Sequence, residues 1–176
     1  MAKLINLPTE NNSGVYSITN SRTNKIYVGS SLNLLTRAVV HEREIRRGQH
    51  GNKSIQQDLK ENDVFVFKVL KVIDDDSCND YHELKTKTRY EEYKAILELR
   101  EKGVDSYNRE TISVINGRIR KLQRELKEIE ERKQEIESIL KYSDEELIQT
   151  YKHEVFKKFE LKILEMEILK RMKRNN

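Results

Sequence analysis

Two β-branched and aromatic runs near the start of the chain, Gly14-Val15-Tyr16-Ser17-Ile18-Thr19 and Lys25-Ile26-Tyr27-Val28-Gly29, flank the turn-rich pentapeptide Asn20-Ser21-Arg22-Thr23-Asn24. That arrangement predicts a β-hairpin. With the turn centred on Ser21 and Arg22, Tyr16 and Tyr27 stand opposite each other and project from one face. Leu32 to Arg47 follows Ser30-Ser31 and stops at Gly48. Serine is a good helix cap and glycine a good stop, so a helix is predicted, with Leu35, Ala38, Val39 and Ile45 as its apolar stripe. Arg37 and His41 share one face of it. A short helix with loops is expected within 49–63. Val64 to Ile73 is apolar on both faces and reads as a central strand. The acidic loop Asp74-Asp75-Asp76 precedes a further helix from about Tyr81 to Lys102, ended by Gly103.

Beyond about Asn108–Ser113 the pattern changes. Five of the six glycines lie before this point. After it the chain is dense in Glu, Lys, Arg, Leu and Ile. Ile112, Ile115, Ile119, Leu122, Leu126, Ile129, Ile136 and Leu140 keep a 3-4 spacing interrupted by Lys133, a coiled-coil seam. Ser143 with Glu146 is a capping box for a second helix, whose stripe would be Leu147, Phe156, Phe159, Ile163 and Met166. A helical hairpin, or a coiled coil between two chains, would bury these stripes. The expected organisation is therefore a domain over 1–110 and a helical region over 111–176. The expected fold class is α+β: a three-stranded antiparallel sheet flanked by helices, then the helical hairpin or coiled coil.

Composition sharpens this outline. Hydrophobic and charged residues each make up 36% of the chain, too little apolar content for one large core. The net charge is only +4, but from Arg22 to Lys60 eight Lys and Arg face three acids. A second basic cluster, Lys170, Arg171, Lys173 and Arg174, closes the chain. Such stretches suit a polyanion. The single cysteine, Cys78, allows no internal disulfide, and a reducing, cytoplasmic setting is expected. Met1 to Pro8 lacks the apolar run of a signal peptide. No segment approaches a membrane span.

Within the 81–102 helix, Glu92 shares a face with Ala95, Ile96 and Leu99. A carboxylate there is costly unless paired or bound to a metal, so a buried Arg or Lys partner and a metal ion are both open readings. Glu91 points aside. Tyr16 and Tyr27 read as packing residues or as site residues. Arg37 with His41 reads as a phosphate clamp with a proton-transfer group, or as two solvated side chains.

Together these residues resemble the GIY-YIG nuclease superfamily over about residues 13–109. Gly14-Val15-Tyr16 stands for the first tripeptide and Tyr27-Val28-Gly29 for the second, with Val for Ile in each. Arg37 lies ten residues after the second tyrosine, and His41 four beyond it. Glu92 matches the family glutamate, although Ala95 stands where many members have an aromatic. Tyr107-Asn108 matches the downstream asparagine. His50, Asn52, Ser54, Gln56 and Asp58 resemble the loop and helix after the arginine.

The resemblance implies a metal-dependent DNA endonuclease. Glu92 would bind Mg²⁺ or Mn²⁺, and Arg37 would hold the scissile phosphate. Tyr16 would act as general base with His41 assisting or replacing it, and Tyr27 would orient water or phosphate. Asn108 would support local structure. Gly29, Ser30, Arg43, Arg47, His50 and Lys53 are the expected DNA contacts. A homodimer through 111–176 would present two sites to a duplex; alternatively, that region grips DNA through Lys170–Arg174. A non-catalytic DNA-binding or assembly protein that keeps the fold is the competing reading, and a coiled-coil scaffold a third.

Overall fold

The computed structural model describes residues 1–143, 146 and 166–168. Residues 1–126 form one compact unit and 127–176 a second. The first unit is built on a four-stranded mixed sheet in the order β1-β4-β2-β3, with β1 at Lys3–Ile5, β2 at Ser13–Asn20, β3 at Ile26–Ser31 and β4 at Val64–Ile73. The expected three antiparallel strands are present. The fourth, β1, pairs parallel to β4 through Leu4 and Phe65, so the sheet is neither three-stranded nor wholly antiparallel. Three residues are too few to show strand alternation in a sequence.

The hairpin register also differs from the expected one. Tyr16 pairs with Gly29, and Tyr27 with Ile18. The turn takes in more chain than Ser21 and Arg22: Asn24 adopts φ 57° and donates its N–H to the Asn20 carbonyl at 2.8 Å. The side chain of Asn20 accepts from the Arg22 N–H at 2.9 Å. Asp63 pins the turn from outside, accepting from Arg22 Nε at 2.7 Å and Asn20 Nδ2 at 3.1 Å. The register shift is two residues, the partner of Tyr16 being Gly29 instead of Tyr27. Parity is therefore kept, and both tyrosines still face the same side, as diagonal neighbours.

Helix α1 (Leu34–Arg46) begins two residues later than expected, because Asn33 rather than a serine caps it, accepting from Thr36 N–H at 2.8 Å. It buries Leu34, Ala38, His41 and Ile45, while Val39 is 41% exposed. The short helix α2 (Lys53–Asp58) is capped by Asn52. Both helices share the core of one sheet face, around Tyr16, Ile18, Phe65 and Phe67. Helix α3 (Tyr81–Glu101) covers the other face with Tyr93 and Ile96, against Val15 and Val28. β4 is interior to the sheet, as expected. Its second face, however, is partly open, with Leu70 and Val72 exposed.

Helix α4 (Ile112–Leu140) carries the seam. Its first positions do not await another helix: Ile115, Ile119 and Leu122 pack in the α3 core. The compact unit consequently runs past residue 110 to Leu126. In the second unit, Ile139 is buried against Tyr142 and Ile168. Ser143 and Glu146 form the reciprocal capping bonds: the Ser143 N–H reaches Glu146 Oε2 at 2.8 Å, and the Glu146 N–H reaches Ser143 Oγ at 3.3 Å. Met166, expected on an apolar stripe, is 64% exposed. Leu147, Phe156, Phe159, Ile163 and the Lys170–Arg174 cluster lie outside the described residues. Among the described residues no helix is long and apolar enough to cross a membrane.

Candidate active site

β3 is the edge strand on which the site is assembled. Strand alternation sends Tyr27 and Gly29 to the α1 face and Val28 and Ser30 to the α3 face. Groups from both faces can thus meet only around the rim of β3. Opposite Val15 and Tyr16 the β2–β4 pairing skips Leu70, the extra residue of a bulge on β4. Tyr16, the direct cross-strand partner of Gly29, lies over it. A Cβ at Gly29 would sit 2.6 Å from the Tyr16 hydroxyl oxygen. Gly29, buried, thereby leaves room for the phenol.

The Tyr16 oxygen is buried and lies 2.8 Å from His41 Nε2 and 3.2 Å from Arg37 Nε. His41 Nδ1 lies 2.9 Å from His50 Nε2. The planes of the two imidazoles are within 10° and their centroids 5.1 Å apart. That separation is close to the N···N distance plus the two ring radii, so the rings lie edge to edge in one plane. His50 Nδ1 accepts the backbone N–H of Asn52 at 3.0 Å. A backbone amide can only donate, and this fixes every proton in the chain. His50 must carry its proton on Nε2 and give it to His41 Nδ1. His41 must then carry its proton on Nε2 and donate it to Tyr16. The phenol oxygen receives two N–H donors, and its own hydrogen is left to point elsewhere.

Burial holds both imidazoles neutral: the His41 pKa falls to about 3, burial being the larger cause and the Arg37 charge the next. His50 is lowered for the same first reason. It is 7% exposed and lies against His41. Tyr16 is pushed well above the ordinary phenol range by burial and by Tyr27, with Arg37 opposing. Burial also raises Tyr27, whose ring lies 6.3 Å from that of Tyr16.

On the other side of β3, Ser30 donates to Glu92 Oε2 at 2.5 Å. Burial raises the Glu92 carboxyl above the usual range and the Ser30 bond opposes it. Its charge is felt at both Tyr16 and Tyr27. Glu91 faces away, paired with Lys71 at 2.9 Å. Glu92, Tyr27, Lys53, Asn108, Arg109 and Glu110 are among the residues that line an open cleft of about 540 Å³. Asn108 holds the cleft wall by pairing its amide with both backbone groups of Val28, at 2.8 and 2.9 Å. Arg109, not singled out by the sequence, bonds to Ser54 and, at 3.1 Å, to Gln57. Only its place beside the Tyr-Asn pair could have drawn attention to it.

Of the basic stretch, Arg22, Lys25 and Arg46 are ion-paired to Asp63, Asp58 and Glu42. Arg43, Arg47 and Lys53 are exposed and have no carboxylate partner among the described residues.

Two groups could hold a cation. His41, Glu44 and His50 offer ligand atoms within 4.8 Å of one another. The imidazole nitrogens suit zinc-like ions rather than Mg²⁺, and those facing each other are already joined through a proton. Glu92 is a hard oxygen donor at the cleft wall with one hydrogen bond, which fits Mg²⁺ or Mn²⁺.

A buried phenol with two donors, a guanidinium beside it and a carboxylate across an edge strand form a site suited to phosphodiester chemistry. Residues 12–95 match the family model of the GIY-YIG catalytic domain, so the chain carries a GIY-YIG domain, which supports membership of the GIY-YIG nuclease superfamily. No curated protein and no solved structure matches it.

Proposed function

We propose that this chain is a divalent-metal-dependent DNA endonuclease in which Tyr16 is the general base. The observation that carries this reading is the convergence of Arg37 Nε and His41 Nε2 on the Tyr16 oxygen. Two donors favour the phenolate, which accepts the proton of the attacking water. His41 cannot take that role in this arrangement: its Nε2 is protonated, and its Nδ1 is occupied by His50. It serves Tyr16 as a fixed donor. With Nε on Tyr16, the terminal nitrogens of Arg37 remain for the scissile phosphate. Tyr27, diagonal to Tyr16, orients the water or the phosphate. Glu92 would hold the metal with Ser30 fixing its orientation, and the bound ion would neutralise charge on the leaving side of the phosphate. Arg43, Arg47, Lys53 and Arg109 supply sequence-independent contacts to the DNA backbone.

One such site cuts one strand. Pairing of two copies through the distal part of α4 would bring two sites to a duplex. Sedimentation of the full chain tests this: a monomer at all accessible concentrations would rule it out.

The deciding experiment is cleavage of plasmid, linear duplex and single-stranded DNA by wild type and Glu92→Ala, with Mg²⁺, Mn²⁺ or EDTA. Metal-dependent cutting that Glu92→Ala abolishes is the expected result. A folded wild type that cuts none of them under any condition would overturn the reading in favour of a DNA-binding or assembly protein.

A further inference from the structure

Helix α3 carries cations on several faces, and they differ in their company. Lys87 pairs with Glu83 at 2.8 Å, Lys94 reaches Glu91 at 3.6 Å, and Arg100 donates to the Asn108 carbonyl. Lys85 and Arg89 are exposed and have no carboxylate partner among the described residues. With Tyr81 they recur every fourth residue, on one face of the helix, in steps of about 6 Å. Tyr81 is 68% exposed, with the Lys85 ammonium 5.9 Å from its ring centroid.

These three side chains, with Ser30 and Ser31, line a pocket of about 260 Å³ that is separate from the catalytic cleft. The two spaces share a wall. Ser30 lines the pocket while its hydroxyl holds Glu92, and Arg89 lies one turn before Glu92 and favours its ionised form. An anionic chain lying at Glu92 and continuing over Ser30 would therefore meet Arg89 first, then Lys85, then an aromatic face. Unpaired cations followed by an exposed ring are the elements of a single-strand track.

We propose that this pocket is a phosphate subsite for the substrate strand beside the cleavage point. Arg89 and Lys85 neutralise the phosphate next to the scissile one, and Tyr81 packs on the same nucleotide. The proposal rests on the nuclease reading for the direction of the strand. The substrate it implies is an extended nucleic-acid strand that spans at least two phosphates, not an isolated phosphodiester.

The test is binding of a fluorescein-labelled DNA duplex in EDTA, followed by anisotropy over a range of salt concentrations. Full-length wild type, the double variant Lys85→Gln/Arg89→Gln, and a double variant of equal charge outside the pocket, Lys68→Gln/Lys121→Gln, are compared. The pocket variant is expected to bind about tenfold more weakly near 0.1 M salt, with the slope of log K against log salt reduced by about 1.8. Where cleavage is measured, its KM is expected to rise far more than its kcat falls. A pocket variant that matches wild type in affinity and slope, or a control that loses as much, would overturn the subsite. A wild type that cuts nothing while the pocket variant still loses affinity and slope would retain the subsite and reject the nuclease reading instead.

Discussion

Two halves of the site, a buried floor at Tyr16 and the open wall of the cleft at Glu92, are built on opposite terms. The floor, Tyr16–His41–His50, is buried, and each ring nitrogen in it has a hydrogen-bond partner, His50 Nε2 also lying 3.5 Å from Glu44 Oε2. The wall, with Lys53 and Arg109 beside Glu92, is open to solvent, and these two cations have no carboxylate partner among the described residues. A buried floor gives fixed proton positions and strong local electrostatics, at the cost of burying polar rings. An open wall gives contacts that form only when DNA arrives and that fade with salt. The contrast assigns rate to the floor and affinity to the wall.

The largest expected effect tests the floor. Tyr16→Phe is expected to lower kcat by about 10³-fold, with KM little changed. A KM effect with kcat intact would reverse the assignment. The same group governs pH dependence. Tyr16 acts deprotonated and its pKa is raised, so wild-type kcat should climb with pH from neutrality, up to about tenfold per unit. A flat profile would deny the role of Tyr16. Next in size, Gly29→Ala places a Cβ against the Tyr16 hydroxyl. Displacing the phenol is expected to cost about 10²-fold in kcat with the melting temperature much less affected.

The floor should also be visible in stability. An unfolded histidine binds a proton near pH 6.5, whereas folded His41 binds one only near pH 3. The unfolded state is therefore protonated first. The stability linked to this group is complete above pH 6.5 and is lost as pH falls towards 3, by at most about 1.4 kcal/mol per unit. Urea titrations at several pH values should show this slope, and His41→Gln should reduce it to the part that His50, lowered for the same reason, contributes. The smallest effect tests the wall. Lys53→Ala or Arg109→Ala should each weaken duplex binding a few-fold and reduce the salt slope by about 0.9. An unchanged slope would remove that residue from the interface.

How far the sequence foretold this site depends on the range of the interaction. Tyr16, Tyr27, Arg37 and Glu92 were legible because their elements follow local periodicity and their spacing resembles a known family. The parallel strand β1 was too short to register. The bonds of Asp63 to the hairpin turn and the bulge at Leu70 opposite Tyr16 join distant parts of the chain, which no local pattern contains. His50 was visible as a residue, but its burial depends on the meeting of α1 with the loop before α2. The first half of the α4 seam looked available for another helix, because an apolar stripe does not say which surface will cover it. Tyr93 and Ile96 cover it here.

Asn108 has a consequence of a different kind. The outer side of β3 has no neighbouring named strand, and the backbone groups of such an edge, left unpaired, are the template on which a second polypeptide can add as another strand. Residues 105–107 bond to the Ile26 backbone along that side, and the Asn108 amide continues the ladder at Val28. A side chain thus stands in for the missing strand where a real one would close the cleft. Colloidal behaviour and access of substrate therefore depend on the same carboxamide: Asn108→Ala would open the edge to intermolecular pairing before it reached any reacting atom.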